Sequence, residues 1–207
     1  IEWRYLMKFF LETKKFFFVN LCTFLLLFPS LLMAIEEPNY VPILSDKPFE
    51  VRKYEGFTVA ETELTGSFDS ASRKGFRRVA NYIFGGNENE EGNSEKIQMT
   101  APVTVTPKND GWSLHFVMPS SYSINDLPLP IDNKVVLKSY KEHLAGVVVF
   151  NGWTTESRIN DFSNKLVSWL NKKNYEIIGP QQVARYNDPF TLPWLRRNEI
   201  IFMVKKK

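Results

Sequence analysis

Lys96-Ile-Gln-Met-Thr-Ala-Pro-Val103 is the least ordinary run of the chain, and its reading decides the fold. Ile97, Met99, Ala101 and Val103 alternate as on a half-buried strand. Pro102 interrupts the alternation. Proline has no N–H to give to a ladder, so it sits at an edge, a bulge or a strand end. From Ile97 onward the run holds no acid, base or nucleophile beyond Thr100. It is a landmark rather than a catalytic centre, and a strand is predicted over Gln98–Val105.

Outward from this landmark the chain repeats itself. With a fixed offset of 86 and no gaps, Phe49–Ser67 lies on Val135–Trp153. Val51 meets Leu137, Tyr54 meets Tyr140, Leu64 meets Phe150 and Gly66 meets Gly152. The same offset sets Phe76 on Phe162 and Phe116 on Phe202. A shorter offset puts Pro102 on Pro180. Each unit reads strand, strand, helix, strand, strand. Phe49–Tyr54 and Phe57–Leu64 are parted by Glu55-Gly56, a turn signal. A helix follows Gly66, with Asp69 or Ser70 as its expected cap. Its stripe is Phe76, Val79, Ala80 and Ile83, and Gly85-Gly86 stops it. Trp112–Met118 completes the first unit. The second has strands at Lys134–Tyr140 and Leu144–Phe150, then a helix over about Ser157–Lys172. Strands at Tyr175–Ile178, Gln182–Tyr186 and Glu199–Val204 finish it.

Two amphipathic helices beside this many strands imply an α+β domain. The expected architecture has duplicated β-β-α-β-β half-domains forming a distorted, mainly antiparallel, eight-stranded barrel with two flanking helices. Units related by a pseudo-twofold axis commonly leave a cleft between them.

The first 34 residues read as a separate segment. Seven of the 17 phenylalanines lie in the first 30 positions, Lys8, Lys14 and Lys15 are basic, and Phe16–Leu32 is nearly all apolar. Pro29-Ser30 breaks the run, and Ala34 offers a small residue for cleavage. This is the pattern of a signal peptide starting at Met7; the alternative is a membrane anchor through residues 16–32. Residues 35–207 then form the folded domain of an exported protein, periplasmic or secreted. Taking four bases and two acids of the leader from totals of 26 and 23 leaves 22 bases against 21 acids. That near-neutral balance does not support a nucleic-acid partner. Cys22, the sole cysteine, leaves with the leader. Membrane contact is expected only through that segment, if it stays uncleaved.

Several further blocks stand beside the landmark. They are Glu37-Pro-Asn-Tyr40, Phe49-Glu-Val-Arg52 with Tyr54, Tyr82-Ile-Phe-Gly-Gly-Asn87, Phe116-Val-Met-Pro119, Leu127-Pro-Leu-Pro130 and Phe150-Asn-Gly152. The last is Tyr186-Asn-Asp-Pro-Phe-Thr-Leu-Pro-Trp-Leu-Arg-Arg-Asn-Glu199. Together and in this order they resemble the SOUL haem-binding protein family over about Glu36 to Lys205. The resemblance implies a distorted barrel of duplicated halves, a fold also similar to small-molecule effector-binding domains of some bacterial regulators. It implies non-covalent binding of haem or a related tetrapyrrole in a shallow apolar pocket, and no enzymatic activity. The alternative is a structural or protein-interaction module that has kept the fold without the ligand.

The resemblance places the site along the first helix and the late proline-rich loop. Here those regions offer Arg73, Phe76, Arg77, Ala80, Leu192 and Trp194. Arg73 and Arg77 are i, i+4 and share a helix face, suited to propionates; they equally suit a solvated basic face. Phe76 and Ala80 stand where some relatives carry methionine, and Leu192 where they carry lysine. No axial iron ligand is assigned. His115 in its strand and His143 at a hairpin read as structural or exposed rather than as ligands. Pro189–Trp194 reads as a pocket wall or lid, or as a plug for the barrel end. Asn87-Glu-Asn-Glu-Glu-Gly92 has only Gln98 where a calcium loop needs a bidentate glutamate, so it reads as a mobile acidic connection. No H-E-x-x-H, G-x-S-x-G, P-loop or C-x-x-C occurs.

Overall fold

The repeat is visible strand by strand in the computed structural model, which describes residues 35–207. The leader and its cleavage site lie outside those residues. Strands β1 (Tyr40–Asp46), β2 (Phe49–Tyr54) and β3 (Phe57–Leu64) lead into helix α1 (Phe68–Ile83). β4 (Asn87–Glu88), β5 (Val103–Lys108), β6 (Gly111–Val117) and β7 (Leu129–Pro130) follow. The second unit has β8 (Val135–Tyr140), β9 (His143–Asn151), α2 (Glu156–Lys172), β10 (Tyr175–Ile177), β11 (Gln182–Arg185) and β12 (Arg197–Lys206). The offset of 86 carries both bounds of β2 onto those of β8, and the start of β3 onto the start of β9.

Pairing obeys the same symmetry. The main sheet runs β1-β2-β9-β12-β11-β5-β6-β3-β8, with β10 added on β12. Within each unit, β3 pairs β6 as β9 pairs β12, and β5 pairs β6 as β11 pairs β12. Between units, β2 pairs β9 as β8 pairs β3. The seam on the pseudo-twofold axis is β5 against β11, where Thr104 faces Ala184. The result is an α+β half-barrel: one curled antiparallel sheet with a helix from each unit on one face.

Period-2 alternation divides the core. α1 closes over Val105, Leu114 and Phe116, while α2 closes over Val51, Val148 and Phe150. Phe68, at the start of α1, packs against both clusters. The opposite face of the sheet carries Tyr54, Ala145, Val147, Ala184 and Ile201. Removing such side chains from water contributes roughly 25 cal/mol for each Å² of apolar surface.

The structure corrects several expected boundaries. The strand predicted over Gln98–Val105 begins only at Val103, after a cis Ala101–Pro102 bond. Thr100 instead bridges Glu36 in parallel, and Ala101 N–H donates to Glu36 C=O at 2.8 Å. The cap of α1 is Ser67, whose hydroxyl accepts from Ser70 N–H at 3.4 Å, rather than Asp69 or Ser70. Ten strands, not eight, form the main sheet. The strand the expected pattern lacks is β1, an edge strand whose ladder shifts register between Pro42 and Leu44. A proline within its run is what such an edge tolerates and what hides it from a strand pattern.

The acidic connection after α1 is tied down. The Asn87 side chain is buried, donates to Tyr82 C=O (2.6 Å) and Glu95 C=O (2.8 Å), and accepts from Glu95 N–H (2.9 Å). One buried amide thus satisfies three backbone groups that a loop would otherwise leave to water.

Candidate functional site

A cleft of about 830 Å³ opens on the helix-bearing face, across the β5–β11 seam. The first unit supplies Ser72, Arg73, Phe76 and Arg77 from α1, Val103 and Val105 from β5, and Leu114 from β6. The second supplies Gly152–Thr155 before α2, Arg185 at the end of β11, Asn187–Pro189, and Arg196 with Asn198 at β12. The cleft therefore belongs to neither half alone. Its volume lies within the range of roughly 300–1,000 Å³ usual for small-molecule sites.

Its floor and walls are apolar and its rim is cationic. Phe76 is 38% exposed and leans on Phe116 with ring centroids 5.4 Å apart. Trp153 is 58% exposed and carries the Arg196 guanidinium 4.4 Å from its ring centroid. Arg196 also donates to Thr191 C=O (2.8 Å) and Pro189 C=O (2.7 Å), so its role is to hold the late loop. Asp188 fixes the other side of that loop by accepting from Phe190 N–H (2.7 Å) and Thr191 N–H (3.0 Å). Those bonds hold its carboxyl below the usual range. Two of the cleft's acids are Asp69 and Asp188, against Arg73, Arg77, Arg185 and Arg196. The balance favours an anionic guest.

Of the residues suggested by sequence, the structure brings Arg73, Phe76 and Arg77 together at this cleft. Ala80 is buried and does not line it. Leu192 (50% exposed) and Trp194 (67%) are not among its lining residues, and Pro189 is what the Pro189–Trp194 run contributes. Phe190 of that run is 93% exposed. Among the other bases of α1, Arg78 is engaged with Asp132 at 3.2 Å and Thr62 at 2.9 Å. Arg73 and Arg77 make no hydrogen bond or ion pair among the described residues.

Sequence reasoning missed Ser72 and Arg185. Both lie on apolar stripes: Ser72 is one turn before Phe76, and Arg185 has the parity of Val183 in β11. A polar residue at an inward parity was the available signal.

Both histidines lie elsewhere. His115 and His143 line a small cavity of about 30 Å³ with Tyr54, Phe57 and Tyr186, on the sheet face without helices. Burial pushes His115 down to about 4, partly offset by the carboxylate of Glu61. His143 Nδ1 lies 2.8 Å from Lys141 C=O and its ring stacks on Tyr54. No His, Cys, Met or Tyr is among the residues lining the large cleft. Among the described residues, no group of three or more His, Cys, Asp or Glu is placed to hold a metal ion.

Comparison with known proteins agrees with the fold and names its family. The sequence is 29% identical over 163 residues to Heme-binding protein 1 of Xenopus laevis, covering 75% of this chain and 83% of that one. It is 29% identical over 187 residues to Heme-binding protein 2 of Homo sapiens, covering 84% and 87%. Among solved structures, the C-terminal domain of EcmrR superposes with a TM-score of 0.58 at 12% identity, over 77% of this chain and 98% of that one. A hydrolase from Listeria innocua gives 0.53 at 10% identity, over 79% and 94%. At such identities these two likenesses speak for the fold alone. The profile of the SOUL heme-binding protein domain matches residues 35–203, essentially every described residue, and the chain belongs to that haem-binding family.

Proposed function

We propose that the protein is an exported binding protein that takes haem, or another planar apolar ligand with acidic substituents, non-covalently in the seam cleft. The observation that carries this reading is the cleft's composition. Phe76, Val103, Val105, Leu114 and Trp153 supply apolar surface beside arginines of both units. A flat tetrapyrrole wants an apolar slot with cations near its propionates, and these residues fit that need. Arg73 and Arg77, one turn apart on α1, would hold the propionates. Haem would supply the iron and its redox and ligand chemistry; the cleft's residues bind, orient and shield the macrocycle. The domain acts as a carrier or sensor, not as an enzyme.

Haemin titration tests the reading. A saturable Soret change at low micromolar protein is expected. Arg73→Glu with Arg77→Glu should weaken it by at least about tenfold, the scale of a lost charge-assisted contact. An unaffected double variant would put the site elsewhere. No Soret change at all would defeat the haem reading and leave the fold as an interaction module. The visible spectrum of protein purified from haem-replete cells gives an independent check.

A further inference from the structure

Ser72 and Arg185 line the seam cleft from different units, and each buries one polar atom that has no partner among the described residues. Ser72 is 7% exposed, and its Oγ has no partner among the described residues. Arg185 Nε is buried and likewise unpartnered. The guanidinium lies over the Phe68 ring, 4.9 Å from its centroid. That ring is the residue shared by both helix clusters, so the charge is seated on a packed base. Burial holds the Arg185 guanidinium below its usual range; the Asp69 charge favours its protonated form and the Arg196 charge opposes it.

Such an arrangement is costly in the empty protein. A buried donor without an acceptor loses its water and gains nothing in return. Buried polar groups are nearly always satisfied, so two unpartnered ones lining the same cleft point to an acceptor that arrives with a ligand. A guanidinium on an aromatic base presents its fork to a carboxylate, and a serine hydroxyl can donate to the same group.

We infer that Arg185 and Ser72 form an inner anion anchor, distinct from the Arg73–Arg77 rim, that takes a carboxylate of the bound ligand. The anchor makes the cleft selective for planar apolar acids over neutral molecules of the same shape. The inference rests on reading the cleft as the ligand site, and not on the ligand being a tetrapyrrole.

The test compares two fluorescent probes with one apolar body, pyrenebutyrate and pyrenebutanol, on the full chain. The wild type should bind the acid about tenfold or more tightly than the alcohol, the scale of a hydrogen-bonded charge pair. Arg185→Met should bring the two affinities together by weakening only the acid. Ser72→Ala should narrow the ratio by about fivefold, as for one lost hydrogen bond. Equal wild-type affinities, no binding of either probe, or an unchanged ratio in Arg185→Met would overturn the anchor. If Arg185→Met fails to fold by circular dichroism, Ser72→Ala decides, and an unchanged ratio there overturns it. A preserved acid preference with no haemin Soret change would defeat the tetrapyrrole reading and leave the anchor standing.

Discussion

Arg52 and Glu199, 147 residues apart, meet in the interior with Arg52 Nη1 at 3.1 Å and 3.0 Å from the two carboxylate oxygens. Glu199 is wholly buried and Arg52 is 2% exposed. Tyr186 O–H donates to the same carboxylate at 2.7 Å, and Arg197 donates from its other side at 2.9 Å. Arg197 passes on to Glu37 at 2.9 Å, and the Arg52 guanidinium covers the Tyr40 ring at 4.3 Å. Blocks scattered from Glu37 to Glu199 thus converge on one buried carboxylate. It ties the N-terminal segment to strands β2 and β12.

Removing that carboxylate's charge should be severe. Glu199→Gln leaves the buried Arg52 with only Glu50, 2.7 Å from its Nε, as a charge partner, and leaves Arg197 with only Glu37. Breaking a buried pair from one side costs on the order of 3–5 kcal/mol. A denaturant midpoint falling with an unchanged slope would show this as lost stability. A loss below about 1 kcal/mol would mean that the network is not what secures this end of the sheet.

His115 gives the fold a pH dependence. Its folded-state pKa is pushed down to about 4 by burial, against 6.5 when exposed. The unfolded chain therefore binds a proton that the folded chain refuses. Stability is fully present above about 6.5 and is lost as pH falls from there toward 4. Integrated over that window, the loss is on the order of 3 kcal/mol. His115→Gln should flatten the slope between pH 6.5 and 5, where most carboxylates are still ionised. Equal slopes in variant and wild type would show that His115 titrates normally. Glu61 and Lys138, which face the ring, act in opposite directions and do not cancel the burial.

The histidines also separate the two cavities. Both lie on the face opposite the helices, whereas the seam cleft has no imidazole. His115→Gln and His143→Gln together should leave the haemin midpoint within about twofold, as expected where no imidazole ligates the iron. A Soret shift or a tenfold weakening would move the ligand to the small cavity and overturn the seam site.

The fold was largely legible in the sequence because strand and hairpin periodicity survives duplication. An offset of 86 already paired β2 with β8 and β3 with β9. The landmark run was read correctly as an identifier and wrongly as a strand. Its alternation does not carry into burial: Met99 is exposed while Thr100 and Pro102 are buried, and Thr100 and Ala101 pair with Glu36, a partner no local pattern can reveal. At the cleft, the family resemblance pointed to the first helix, and Arg73, Phe76 and Arg77 of that helix do line it. Local reasoning could not reach Arg185 or Trp153, which join them only through the β5–β11 pairing of two units. The resemblance also offered Leu192 and Trp194, but of that late loop it is Pro189 that lines the cleft.

Gly75 sets how closely α1 approaches the sheet, and so where the cleft's first wall stands. A Cβ there would meet Leu64 Cδ1 at 2.7 Å and Leu114 Cβ at 3.0 Å. Leu64 can swing its methyl aside, but Leu114 Cβ is fixed to β6, so the helix itself must lift. Gly75→Ala gains about 1 kcal/mol of helix propensity. Overpacking costs about 1–3 kcal/mol, so the net change should be destabilising by about 1 kcal/mol. The lifted helix carries Ser72, Arg73, Phe76 and Arg77 outward with it. Haemin affinity should then fall by more than the stability change alone would produce, read as a raised Soret midpoint under conditions where the variant is fully folded. Gly146→Ala is the matched control. Its Cβ would strike Leu170 of α2 at 2.6 Å, in the other unit and away from the cleft. It should lose comparable stability and leave haemin binding alone. Equal binding losses in both variants would mean that affinity follows global stability rather than the position of α1.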